Sequence, residues 1–211
     1  PGLEAFLQGM QQMFLPALIL VLAWMLNSVI KELGAADFLI QLLSDRLPAA
    51  WLPALVFLVA ALTSFSTGTS WGTTGTIGIA LIGIGAGLGF PLPVVAGAVL
   101  SGAYFGDKMS PLSDTTNMAP AMVGTDLYTH IKHMTYTTGV SYGLTLVINI
   151  VLGFFYGGGQ ANLESVSQIL AGIEAQFSVN PLLLLPPAIV MALAFRKIPA
   201  VPGIVIGIIA A

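Results

Sequence analysis

The sequence predicts an all-α polytopic membrane protein built around re-entrant or broken helices. Three observations carry that expectation. Of 211 residues, 56% are hydrophobic and only 7% are charged, whereas soluble domains carry about a quarter charged residues; mean hydropathy is +0.94. Apolar runs near the length of a bilayer crossing recur along the chain. Two of these runs are interrupted, one by hydroxyls and glycines at 63–76, the other by carboxylates at 106–117.

The elements follow in order. Met13 to Ile30 predicts a spanning helix with Pro16 in its first turn and Lys31 and Glu32 ending it at an interface. Ala36 to Leu47 sets Phe38, Leu39, Leu42, Leu43 and Leu47 against Asp37, Asp45 and Arg46, the pattern of a helix lying on the membrane surface. Residues 51–90 then run without a single charge, long enough for two crossings or a re-entrant hairpin. Within them, nine of the fourteen residues from Thr63 to Thr76 carry hydroxyls and three are glycine. Such a composition disfavours continuous helix, because the side chains compete for backbone hydrogen bonds. The expectation is a helix, a break and a second helix, with Gly83/Gly87 and Gly85/Gly89 spaced for close packing.

Residues 91–126 predict a second broken helix: Leu92 to Phe105, the interruption GDKMSPLSDTTN (106–117), then Thr115 to Val123. His133 to Tyr156 is an ordinary span, 157–180 a polar connection, Pro181 to Phe195 another apolar element closed by Arg196 and Lys197, and Gly203 to Ala211 the start of a further span. His130, Lys132, His133, Arg196 and Lys197 mark cytoplasmic ends, which puts the 157–180 loop outside. The chain opens on Pro1 and stops within an apolar run, so 1–211 is expected to be one transmembrane domain truncated at both ends.

Composition also excludes chemistry. Zero cysteines remove disulfide and thiolate chemistry. A net charge of −3, scattered along the chain, offers nothing to nucleic acid. No nucleotide-binding glycine pattern and no GxSxG turn occurs, so neither cofactor nor enzyme activity is expected.

The two interruptions carry the functional expectation. Irregular backbone at membrane depth survives only where it lines a cavity or is buried in protein, and discontinuous helices build the ion sites of many secondary transporters. The first break offers neutral oxygens from Thr69, Ser70, Thr73 and Thr74; the second offers Asp107, Ser110, Ser113, Asp114, Thr115, Thr116 and Asn117. A hard cation such as sodium wants several oxygens and a negative charge. Asp107 is expected just after the first half-helix, beside unpaired carbonyls that disfavour its charged form, and so to be the proton-exchanging ligand. Asp114 is expected to N-cap the following half-helix, either as a second ligand or as the group that shapes the break. Lys108 is a counter-charge able to pair with a carboxylate when sodium is absent. The competing reading of 106–117 is a loop at the membrane surface. Asp126, His130 and His133 share one helical face and read as an interfacial polar collar, with a metal site or pH sensor as the alternative.

GTSWGTTGTIGIA (68–80), GAGLG (85–89), GAYFGDKMSPLSDTTNMAPAMVGTDLYTHIKHM (102–134) and RKIPAVPG (196–203) closely resemble the NhaC-type sodium/proton antiporters, a family that includes malate/lactate exchangers. The resemblance runs from about residue 50 onward. It implies a multi-pass secondary transporter of a bacterial or archaeal cytoplasmic membrane, with two repeats of opposite topology, each holding a hairpin and a broken helix. The present chain would supply one repeat. Sodium and protons are then the transported ions, with a small carboxylate as the alternative substrate. The bilayer, the remaining repeat of the same polypeptide and, as an option, a second copy in a homodimer are the partners. An ion channel or a membrane scaffold subunit is the remaining alternative class.

Overall fold

The computed structural model describes residues 2–33, 49–157 and 181–211, and every element in them is helical. The surface helix expected at 36–47, and all but the first residue of the polar connection expected at 157–180, lie outside the described residues.

Helix α1 (Gly2–Leu33) begins eleven residues before the apolar run that predicts it, so Pro16 falls in its interior rather than its first turn. Residues 2–12 are rich in Leu, Gln, Met, Glu and Ala. These extend a helix well although they are not uniformly apolar.

A short 3-10 turn (Ala49–Trp51) leads into α2 (Leu52–Thr67). Gly68 ends it with φ +70, the left-handed conformation that glycine adopts without steric cost. Thr69 is extended and caps the next helix by accepting the Gly72 N–H at 3.1 Å. Helix α3 (Ser70–Thr73) passes through a π-helical turn (Thr74–Gly78) into α4 (Ile79–Gly87). Helix α5 (Leu92–Met109) is followed by the break at 110–113 and by α6 (Asp114–Val123).

Neighbouring glycines fix the directions of these helices. A Cβ on Gly102 would strike the Phe57 carbonyl and one on Gly106 the Ala61 carbonyl, while the Ser110 hydroxyl donates to the Phe65 carbonyl. Three contacts at the same sequence offset make α2 and α5 parallel and nearly touching. Along the same face of α5, Gly78 meets Val99 and Gly85 meets Val95, so α4 runs antiparallel to it. Residues 52–87 therefore form a hairpin whose two arms both pack on α5 and whose tip is Gly68–Thr69. Ser66, Thr67, Thr69 and Ser70 at that tip are buried. The tip therefore ends inside protein rather than at a water-exposed surface.

Helix α7 (Leu127–Tyr156) returns antiparallel to α2, with Gly153 against Ala50 and Tyr142 stacked between Phe57 and Phe105 at centroid distances of 4.6 and 3.7 Å. It starts two turns before the expected His133, because Asp126 caps it by accepting the Thr129 N–H at 2.9 Å. That bond, and the Thr129 hydroxyl, hold the exposed Asp126 carboxyl below its ordinary pKa. The cap's contribution is complete above the ordinary carboxylate pKa and is lost as pH falls through the lowered value. Tyr142→Ala is expected to lower the thermal midpoint of the purified protein by several degrees, whereas Tyr142→Phe, which keeps both stacks, leaves it unchanged; scanning fluorimetry reads both.

A 3-10 turn (Pro181–Leu184) opens α8 (Leu185–Phe195), which turns through Arg196–Pro199 into α9 (Ala200–Ala210). Leu112, from the break itself, packs with Ile19, Ala23, Leu26, Val190, Ala200 and Ile204 of α1, α8 and α9. The Tyr128 hydroxyl donates to the Ile198 carbonyl at 3.3 Å, and the Lys197 ammonium lies 5.8 Å from the Tyr128 ring. The start of α7 and the Arg196–Lys197 turn thus share one end of the molecule, as their common basic character predicts. The α1 segment Phe6–Ala23, Ala49–Thr67 and Leu127–Tyr156 are long and apolar enough to cross a membrane. Half of the second is buried within the protein, in keeping with its place as a hairpin arm.

With about 1.5 Å of rise per residue, the 18 residues of α5 span about 27 Å and the 10 of α6 about 15 Å. Together they match the roughly 45 Å of the 30-residue α7. The break sits inside the thickness of the bundle.

Candidate functional site

The two breaks meet backbone to backbone. A Cβ on Gly68 would lie 2.6 Å from the carbonyl carbon of Leu112, 2.7 Å from its oxygen and 2.9 Å from the Ser113 nitrogen. Hydroxyls seal the approach: Ser64 donates to the Ala103 carbonyl at 2.6 Å and Ser110 to that of Phe65 at 2.7 Å, while Ser110 also accepts the Leu112 N–H at 3.1 Å.

The second break is closed by its own side chains. Thr116 donates to the carbonyls of Asp107 and Lys108, each at 3.1 Å. Asn117 donates to those of Pro111 and Ser113 at 2.8 and 2.7 Å. The expectation of unpaired carbonyls beside Asp107 is therefore corrected, because Thr116 and the Ser110 N–H satisfy that of Asp107. Asp107 lies within the last turn of α5 rather than after it. The cap of α6 is Ser113, which accepts the Thr116 N–H at 3.4 Å and shares a 3.0 Å hydroxyl contact with Thr115. Asp114, expected as that cap, is instead the first helical residue, where a carboxylate complements the helix dipole without capping it.

This packing leaves one buried carboxyl facing the hairpin tip. Asp107 is 6% exposed. Its Oδ2 accepts the Ser70 hydroxyl at 3.0 Å, and its Oδ1 is buried with no hydrogen-bond partner among the described residues, although the Ser113 hydroxyl is close by. A buried carboxylate oxygen without a donor costs free energy unless a proton or cation supplies the missing contact. Asp107 opens onto a cavity of about 240 Å3 lined by Ala23, Gly68, Thr69, Ser70, Trp71, Tyr104, Lys108, Asp114 and Thr115. Trp71, 83% exposed, and Tyr104, 54% exposed, stand at its rim.

Of the residues expected at the site, Thr69, Ser70, Asp107, Lys108, Asp114 and Thr115 share this cavity. Ser110, Ser113, Thr116 and Asn117 are engaged in holding the breaks. Thr73 is fully buried, donates to the Thr69 carbonyl at 2.9 Å and lies 3.5 Å from the Thr67 hydroxyl, while Thr74 falls in the π-helical turn away from the cavity lining. Lys108 is exposed and does not pair with Asp107, whose Oδ1 is unpartnered. Sequence reasoning did not find Ala23, Trp71 or Tyr104. An unaccompanied tryptophan inside a hydroxyl-rich run was the available signal for Trp71 alone. Among the described residues no group of three or more His, Asp or Glu side chains is placed to hold a metal.

Irregular backbone from two interrupted helices, brought together inside an apolar bundle around a buried carboxylate, is the construction of membrane transport proteins of the broken-helix kind. Comparison with known proteins gives the family. The Na+/H+ antiporter family model matches residues 3–104 and 102–211. The malate-2H(+)/Na(+)-lactate antiporter of Bacillus subtilis is 44% identical over 160 residues, 76% of this chain and 34% of that protein. The Na(+)/H(+) antiporter NhaC of Alkalihalophilus pseudofirmus is 38% identical over 95% of this chain and 42% of its own length. The arginine/ornithine antiporter ArcD of Halobacterium salinarum is 38% identical over 92% of this chain and 40% of its own. No solved structure matches the chain. The chain belongs to the Na+/H+ antiporter family, as a multi-pass protein of the cell membrane, and spans between about a third and two-fifths of the length of these relatives.

Proposed function

We propose that the protein of which this chain is part exchanges sodium for protons across the cytoplasmic membrane, with Asp107 as the group that takes either ion. The unpartnered, buried Oδ1 of Asp107 carries this reading. Ser70 supplies a second oxygen, held 3.0 Å from Oδ2, and the Thr69, Asp114 and Thr115 oxygens line the same space. Sodium and a proton then compete for one carboxylate, which couples their movements in opposite directions. Asp114, half-buried on the cavity wall, adds negative potential and acts as a secondary ligand. The Asp114→Asn variant is expected to retain exchange with apparent sodium affinity lowered by about tenfold, within the range for loss of a supporting group. Sodium titration of flux in sealed vesicles measures it.

A second reading, sodium-coupled exchange of a small organic acid, has one observation in its favour. The cavity, about 240 Å3, exceeds the roughly 30 Å3 share of one water, and Lys108 stands in its wall without pairing to Asp107. The full-length protein, reconstituted with a pH-sensitive dye inside, decides between them. Sodium jumps that move protons without malate or lactate support the first reading. Proton movement that requires either acid supports the second, and no sodium-dependent movement under any condition overturns both. Counterflow of labelled sodium distinguishes a carrier from a channel.

A further inference from the structure

We propose that the start of α7 is a seat for an anionic phospholipid, with its phosphate held by His130, Lys132 and His133 and its acyl chain laid along the same face of the helix. A recess of about 370 Å3 is lined by Thr125, Thr129, His130, Lys132, His133 and Tyr136. Three of these six side chains carry basic nitrogen and the other three carry hydroxyls, so the recess holds donors suited to a phosphate and no carboxylate. The nearest acid, Asp126, touches the recess through Thr129, whose N–H and hydroxyl it accepts, which leaves the Thr125 and Tyr136 hydroxyls and the three basic side chains as the donors for a phosphate.

What distinguishes a lipid from a soluble phosphate is the surface that continues from the recess. Thr129, His133, Tyr136, Val140, Leu144, Val147 and Val151 follow one another at intervals of three and four, which places them on a single helical face. Tyr136 is 71% exposed and Val140 72%, and Leu144, Val147 and Val151 are also exposed. A basic, hydroxyl-bearing head region at the end of an open apolar stripe has the polarity of a phospholipid. Tyr136 stands at the junction, where an amphipathic aromatic ring suits the membrane interface. The same end of the molecule carries Arg196 and Lys197, the latter packed on Tyr128. A concentration of basic residues favours the cytoplasmic side, whose leaflet is the anionic one.

The experiment uses the full-length protein in nanodiscs. The described chain has no cysteine, so a cysteine-free full-length background with Val140→Cys gives one attachment point for a fluorophore on the stripe. Quenching is titrated with brominated-chain phosphatidylglycerol and, separately, brominated phosphatidylcholine. The expected result is a preference for phosphatidylglycerol of at least about fivefold, the scale of one basic residue at an anionic surface. His130→Gln, Lys132→Gln and His133→Gln together should abolish that preference while both lipids still quench, and Lys132→Arg should keep it. Inorganic phosphate at millimolar concentration should leave quenching by phosphatidylglycerol unchanged; if it displaces the lipid's preference, the recess reads free phosphate and the lipid assignment is overturned. Equal quenching by both lipids overturns the proposal in favour of ordinary boundary lipid. No quenching by either means that protein covers this face, from the rest of the polypeptide or a second copy, and overturns it as well. The three glutamine substitutions are checked by an unchanged thermal midpoint. A preference that survives them also counts against the proposal.

Discussion

Replacing Asp107 by Asn should remove sodium-dependent proton movement while leaving the protein folded. Loss of groups that merely support metal ligands costs about 10- to 100-fold in affinity, so removing the ligand itself should lower the response by about two orders of magnitude or more. The amide keeps the size of the carboxyl and can still accept the Ser70 hydroxyl. It also leaves the helical backbone of α5 untouched. What it lacks is a charge at Oδ1, the atom the fold leaves without a donor, and a site that proton and cation share. The measurement is dye-reported proton movement on sodium addition, with the thermal midpoint taken on the same sample. An Asn variant that still exchanges with unchanged pH dependence would remove Asp107 from the mechanism. Ser70→Ala provides the graded comparison, with weaker apparent sodium affinity and a retained response.

Gly68→Ala is expected to be strongly damaging. Two effects coincide there. The residue has φ +70, where an L side chain costs about 1–2 kcal/mol, and its Cβ would lie 2.6 to 2.9 Å from three backbone atoms of Leu112 and Ser113. Backbone cannot swing aside as a flexible side chain does. The hairpin tip must therefore withdraw from the second break, and the hydrogen bonds from Ser64 and Ser110 stretch with it. A loss above about 2 kcal/mol is expected, read as a clearly lowered midpoint in detergent together with loss of sodium response. Gly97→Ala is the matched control. Its Cβ meets nothing within 4 Å in the middle of α5, where alanine is favoured over glycine by about 0.5–1 kcal/mol.

The membrane class was legible in the apolar composition as a whole, and the two interruptions as local departures from its apolar runs. A lysine and two aspartates inside such a run need no knowledge of the rest of the chain to stand out. The parallel pairing of α2 with α5 was not legible. Gly102 and Gly106 have the same small-residue spacing as Gly83/Gly87, and only the contact with the Phe57 and Ala61 carbonyls makes them the close-packing pair. The hydroxyls divide in the same way. Ser70 and Ser110 are equivalent in composition, yet one faces a carboxylate and the other a main-chain carbonyl of the neighbouring helix. That difference comes from register between segments some forty residues apart. The cap of α6 was misplaced by one residue because Ser113 and Asp114 are both good caps, and the sequence offers no reason to prefer the first.

The break between α5 and α6 lies about 27 Å along one half-helix and about 15 Å from the far end of the other. A charge held there is neither at the surface nor at the centre of the electric field across the bilayer. Carrying one elementary charge through the whole field is worth about 2.3 kcal/mol per 100 mV. On the proposed reading, an ion reaching Asp107 from the basic end would cross roughly a third of it, or about 0.8 kcal/mol, close to a fourfold change in occupancy per 100 mV. If Asp107 is the exchanging group, the depth of the helix interruption would make its occupancy depend on voltage as well as on concentration.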